Sequence, residues 1–146
     1  MADNLHIHVQ SFQPGVTQEQ ALETLIDAMA DVLDERQLRH IKTAVLLREA
    51  TQTTYLDQGL AVPHGRTTAL DSIYISAGIS REGIPWPNDE QRAHLIVMIG
   101  VPTAMVTGYL TTMQQLLRWH KNAPLSGGAW ADDAESLLTA LQHAMK

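Results

Sequence analysis

The segment "QGLAVPHGRT", residues 58–67, ends a short apolar run in a proline and at once presents a histidine beside a glycine. Pro63 has no backbone donor and holds Val62 extended, so the pair marks the place where a strand leaves its ladder. His64 is then expected at a strand's carboxyl end, the edge where α/β sheets collect ligands and reacting groups. Gly65 would let another molecule approach the backbone closely. Taken alone, a histidine after a proline is more often an ordinary loop residue making one hydrogen bond.

Working outward, each flank supplies recognisable elements. "LHIHVQ" alternates Leu5, Ile7 and Val9 with His6, His8 and Gln10, the period of a half-buried strand. Thr17 and Gln20 match a capping box, and Leu22, Leu25, Ile26, Met29, Val32 and Leu33 form a stripe that predicts a helix over 18–33. A second helix is expected over 35–49, where Leu38, Ile41 and Val45 recur at helical steps, Leu46 and Leu47 widen the buried face, and Arg48 continues the stripe. "GLAVP", "SIYISAGIS" and "HLIVMIGV" read as three strands, the second followed by turn residues. The third, apolar on both faces and closed by Pro102, reads as central. Leu110, Met113, Leu116 and Leu117 predict a helix over 109–120, "LSGGAW" a loop, and Asp132 the cap of a last helix carrying Leu137, Leu138, Leu141 and Met145, with Glu135 placed for a capping box. Strand, two helices, three strands and further helices imply an α/β fold, a three-layer α/β/α sandwich around a mixed sheet.

Composition bounds the function. A chain of 146 residues with 45% hydrophobic residues is expected to form one domain, 1–146. Sixteen acidic against 10 basic residues, a net charge of −6, offer no broad positive field for nucleic acid. There is no cysteine, hence no disulfide and no thiolate metal site. The start "MADNLHIHVQ" lacks the pattern of a signal peptide and no apolar run approaches a membrane span, so a cytoplasmic protein without membrane insertion is expected.

The segment "LLREATQTTYLDQGLAVPHG" resembles the phosphorylation-site region of enzyme IIA domains of the bacterial phosphotransferase system, in the fructose and mannitol class that includes the stand-alone nitrogen-regulatory proteins. The shared pattern falls on Arg48-Glu49, Thr53-Thr54, Gly59, Leu60-Ala61-Val62, Pro63, His64 and Gly65. The resemblance implies that His64 accepts a phosphoryl group through Nε2 from a histidine-phosphorylated carrier protein and hands it to a IIB domain or a regulatory protein, with no cofactor or metal. A neutral imidazole suits that role, and alignment plus positive charge suffices for transfer through a loose, metaphosphate-like state. Arg48 would offer the charge as a planar fork. Thr54 and Gly65 are phosphate-pocket candidates, and Glu49 reads as structural, holding the arginine or capping a turn.

One departure stands out. Active members of that class carry a second histidine in the first turn of the helix after the central strand, about where this chain has Tyr109-Leu110. Tyrosine donates a hydrogen bond but carries no positive charge near neutral pH. Tyr109 therefore joins the pocket candidates, while His94 and His120 lie at the wrong places in sequence to substitute. A rival reading is an interaction module on the same fold that has lost transfer, with Trp86, between two prolines, as an exposed anchor for a protein partner. The commoner reading of such a Trp86 is a hairpin-tip residue covering the edge of the core. A third reading is a small-anion binder using Arg48 and His64. His6 and His8 could begin a metal site, but the sequence adds no third ligand.

Overall fold

The computed structural model describes residues 5–87, 92–122 and 133–145. β1 (Leu5–Ser11) is followed by α1 (Gln18–Asp27) and α2 (Glu35–Thr51). Three short strands come next, β2 (Tyr55–Asp57), β3 (Leu60–Ala61) and β4 (His64–Thr67), then the long β5 (Ile73–Pro85) and β6 (Arg92–Pro102). α3 (Val106–Asn122) and α4 (Ala134–Ala144) complete the described elements.

β6 is central, as its apolar run requires. It pairs antiparallel with β5 on one side and parallel with both β3 and β4 on the other; β1 joins β5 in parallel and β2 joins β3 antiparallel. Alternation divides the side chains of β6 between two cores. Leu95, Val97, Ile99 and Val101 face the layer of α3 and α4 with Leu116, Leu137 and Leu141, whereas Ile96 and Met98 face the layer of α1 and α2 with Leu22, Leu25, Ile41 and Val45. The expected α/β fold, with helices on both faces of a mixed sheet, is what the chain adopts.

Several boundaries differ from the sequence reading. "GLAVP" leads into two strands, and the ladder resumes after the proline. Leu60 and Ala61 pair with Leu95 and Ile96, and His64 to Thr67 pair with Ile99 to Pro102 at the same offset. Across the gap the Pro63 carbonyl accepts from the Ile99 amide at 2.9 Å, so the missing donor interrupts one strand without releasing it. His64 therefore opens β4 and does not close a strand. β2, the hairpin partner of β3, went unrecognised; its two-residue turn puts Gln58 at φ 51° and Gly59 at φ 81°, the left-handed pair that such tight hairpins demand. β5 runs on through the expected turn to Pro85, bending where its register shifts between Ile79 and Ile84, with Gly83 at φ 83°.

α1 stops at Asp27, short of the expected residue 33. Asp34 must be extended (φ −83°, ψ 173°) to cap α2 through the Gln37 amide, so the preceding residues wind through tight turns that still bury Met29 and Leu33. Leu46 and Leu47 do not widen the buried face of α2; they are 39% and 67% exposed, because they lie roughly 100° and 200° around the axis from buried Val45. α3 begins a turn earlier than expected. The cap of α4 is Asp133, bonded to the Ser136 amide, which leaves Glu135 no capping-box position; Asp132, "LSGGAW" and Trp130 lie outside the described residues. Trp86 is 1% exposed within the core beside α1 and α2, so it offers no surface anchor to a partner.

Gly65 is where α2 meets the sheet. A Cβ there would stand 2.7 Å from Ala44 Cβ and 2.8 Å from the Val45 amide nitrogen. The close approach foreseen for Gly65 is thus made by the helix backbone, which has no flexible side chain to yield. Gly65→Ala should lower stability by about 1–3 kcal/mol, read as a lower urea midpoint; an unchanged midpoint would mean that α2 shifts without cost.

Candidate functional site

The last turn of α2 is closed by its own side chains. Arg48 Nη1 donates to the Gln52 carbonyl at 2.8 Å, while the Gln52 amide donates back to the Arg48 carbonyl. The Glu49 carboxylate accepts from both the amide and the hydroxyl of Thr54. Glu49 is therefore a turn cap, and it consumes the Thr54 hydroxyl. Thr54 itself is buried at 3% exposure and does not line the cleft described next, so of the pocket candidates it is the one the fold holds apart.

Between α2, β4 and the start of α3 lies a cleft of about 670 Å³. His64 and Tyr109 face each other in it with ring centroids 5.4 Å apart and planes tilted by 35°. Arg48, Gly65 and Arg66 also line it, and Leu47, Val106 and Leu110 form an exposed apolar rim. Sixteen positions apart in sequence, Arg48 and His64 are neighbours because α2 lies directly on β4. Arg66 was not singled out from the sequence. The sequence reading ended the strand at His64 and so hid the relation: within β4, residues two apart share a face and Gly65 is buried, so Arg66 points outward beside His64.

His64 Nδ1 lies 3.0 Å from the Val62 carbonyl oxygen. A carbonyl only accepts, so Nδ1 carries the proton and Nε2 keeps its lone pair. Burial pushes the imidazole below its ordinary pKa of 6.5; the Val62 carbonyl and Glu49 oppose this, while Arg48 and Arg66 add to it. At neutral pH the ring is uncharged and nucleophilic. Burial raises the Tyr109 phenol above its usual 10.0, against the pull of Arg48 and Arg66, so it remains a neutral donor.

The other histidines lie elsewhere. His94 Nδ1 is 3.0 Å from the Ser80 carbonyl at the bend of β5, and His120 is buried near the far end of α3. His6 stacks on Tyr74, and His8 lies 3.1 Å from an Asp31 oxygen. No cluster of three potential metal ligands occurs among the described residues. A second cleft of about 630 Å³ beside the start of α1 holds Glu19, Glu82 and Arg92 but no histidine.

A mixed sheet between two helical layers is the fold of phosphotransferase-system IIA proteins. The chain belongs to the family described as "Phosphoenolpyruvate-dependent sugar phosphotransferase system, EIIA 2", whose model matches residues 8–143. It is 33% identical over 109 residues to the fructose-specific EIIA component of Haloferax volcanii, covering 73% of this chain and 70% of that one. It is 31% identical over 99 residues to the fructose-specific EIIABC component of Bacillus subtilis, where the match covers 64% of this chain and only 16% of the larger protein. Among solved structures, nitrogen regulatory protein IIA-Ntr from Neisseria meningitidis superimposes with a TM-score of 0.72 at 20% identity, covering 95% of this chain and 97% of that one. The IIA mannitol protein of Escherichia coli, solved in complex with phosphorylated IIB mannitol, gives 0.63 at 18% identity, covering 98% and 96%. These two likenesses are of fold. No described helix is long and apolar enough to cross a membrane.

A His64 pKa depressed by folding predicts a pH effect of definite sign. The unfolded chain binds the proton more readily, so the contribution is present above about 6.5 and is lost as pH falls through the lower folded value. Histidine NMR should place the His64 midpoint below 6.5 with the Nδ1–H tautomer in the neutral form. Replacement by Gln should flatten the acid loss of stability below that pH. A midpoint above 6.5 would contradict the buried, arginine-flanked imidazole.

Proposed function

We propose that this chain is a cytoplasmic phosphoryl carrier that takes a phosphoryl group onto His64 Nε2 from a histidine-phosphorylated carrier protein and passes it to a IIB domain. The observation that carries the reading is the Val62 carbonyl at 3.0 Å from Nδ1, which leaves Nε2 as the nucleophile in a cleft holding two arginines. In the transfer, the Nε2 lone pair forms the new N–P bond as the donor's N–P bond breaks, and the departing donor nitrogen keeps that electron pair. A donor ring protonated on its other nitrogen leaves as neutral imidazole, and His64, retaining its Nδ1 proton, becomes the phosphorylated imidazolium. No proton changes hands, and the Val62 carbonyl is aimed at the N–H that gains charge.

The surroundings support a protein donor and acceptor. Leu47, Val106 and Leu110, 67%, 43% and 53% exposed, ring the cleft with apolar surface of the kind that proteins dock on. A IIA protein of the same fold has been solved with its phosphorylated IIB partner, and the two relatives compared above are fructose-specific components, which supports sugar uptake as the setting. The interaction-module alternative has lost its anchor, because Trp86 is core.

Incubation with a histidine-phosphorylated carrier protein should add one phosphoryl group, stable to alkali and labile to acid, that is absent in His64→Ala. Arg48→Gln should slow acceptance by about 10² to 10³, and Arg48→Lys should recover only part of that because the planar fork is lost. Label on His94 or His120 instead would overturn the assignment.

A further inference from the structure

The transferring phosphoryl group spreads negative charge over three oxygens, and the cleft must meet it with cations. Arg48 has Nη1 already engaged by the Gln52 carbonyl, so only part of its fork is available. Tyr109, across from the imidazole, is a neutral phenol. Arg66 differs from both. It is exposed, lines the same cleft, and makes no hydrogen bond or ion pair with any described residue. Two strand positions separate it from His64, roughly 6–7 Å along β4, and the two side chains leave the same face because Gly65 and Thr67 point inward. A guanidinium on a flexible stem spans that distance and can lie over the group attached to Nε2.

We infer that Arg66 is a second catalytic cation of the site, contacting the phosphoryl oxygens and supplying the positive charge that Tyr109 cannot. The inference rests on the reading of His64 as phosphoryl acceptor. Its field reaches the site in the resting protein: Arg66 acts on both the His64 and the Tyr109 rings, together with Arg48, while Glu49 is the acidic group acting on His64. Arg66 leaves no buried partner behind when replaced, so its loss should spare the fold.

The test measures phosphoryl acceptance from a histidine-phosphorylated carrier protein in wild type, Arg66→Gln, Arg66→Lys, and Arg66→Gln combined with Tyr109→His. At saturating donor, Arg66→Gln should lower the maximal rate about 10²-fold. Arg66→Lys should keep an intermediate rate, and Tyr109→His should restore the Gln variant at least in part at a pH where the new histidine is charged. In parallel, the His64 midpoint followed by NMR should rise in Arg66→Gln, since a neighbouring positive charge has been removed; this readout needs no phosphoryl transfer. A maximal rate unchanged in Arg66→Gln, where wild type does take label, overturns the role of Arg66 and leaves His64 as acceptor. So does a defect confined to the donor concentration needed, which would make Arg66 a docking residue. A wild type that takes no label overturns both readings.

Discussion

The contact between Gly65 and the backbone of α2 at Ala44 and Val45 is the constraint on which the site depends. With no Cβ at residue 65, the helix lies close enough on β4 that its carbonyl end reaches the histidine. Ala44 and Arg48 are four residues apart and share a helix face, so seating Ala44 against the glycine brings the arginine into the cleft beside the imidazole. The same seating explains why Ile41 and Val45 are fully buried while Leu47 is left at the rim.

The second element is the interrupted strand. A continuous strand at this place would commit every backbone group to β6 or β2. Pro63 withdraws one donor, the carbonyl of Val62 turns to the His64 ring, and pairing with β6 resumes at once in the same register. The break thus selects a tautomer without weakening the sheet. Partial burial then keeps the ring neutral, with the flanking arginines acting in the same direction. The conditions that make the imidazole a free nucleophile would, on the proposed function, also receive an anion: the cations that disfavour a protonated ring would attract phosphoryl oxygens. Low charge on the base and high charge around the product are two consequences of one arrangement.

Both helical layers are seated by the two faces of β5. β5 presents Ile73, Ile75, Ala77 and Ile79 to α3 and α4, while its other face carries Tyr74, Ser76 and Gly78. Ser76 donates to the Leu25 carbonyl at 2.6 Å, and Gly78 makes room for Phe12, so α1 settles on the less bulky face. With both faces of β6 packed, the start of α3 that carries Tyr109 is tied to the end of the strand that pairs with His64.

Period and spacing in the sequence determined the strand that begins at Leu5, the existence and stripe of both early helices and the central strand, because these are local patterns with local causes; the grouping of Arg48, Pro63, His64 and Gly65 came from the resemblance to the IIA class. What the sequence could not determine were choices made by competition in space. α1 ends early because the cap of α2 needs extended backbone at Asp34. Trp86 is buried although its proline neighbours suggest exposure, because the continuation of β5 carries it into the core beside α1 and α2. Thr54 has the right chemistry for phosphate but gives its hydroxyl to Glu49, and Leu46 and Leu47 have the right hydropathy but the wrong angle around the helix. Arg66 was overlooked for the opposite reason: nothing in the order of residues separates a solvated arginine from one that lines a cleft beside a nucleophile. That distinction arises only when β4 pairs with β6, Gly65 turns inward against α2, and the cleft closes around the face that His64 and Arg66 share.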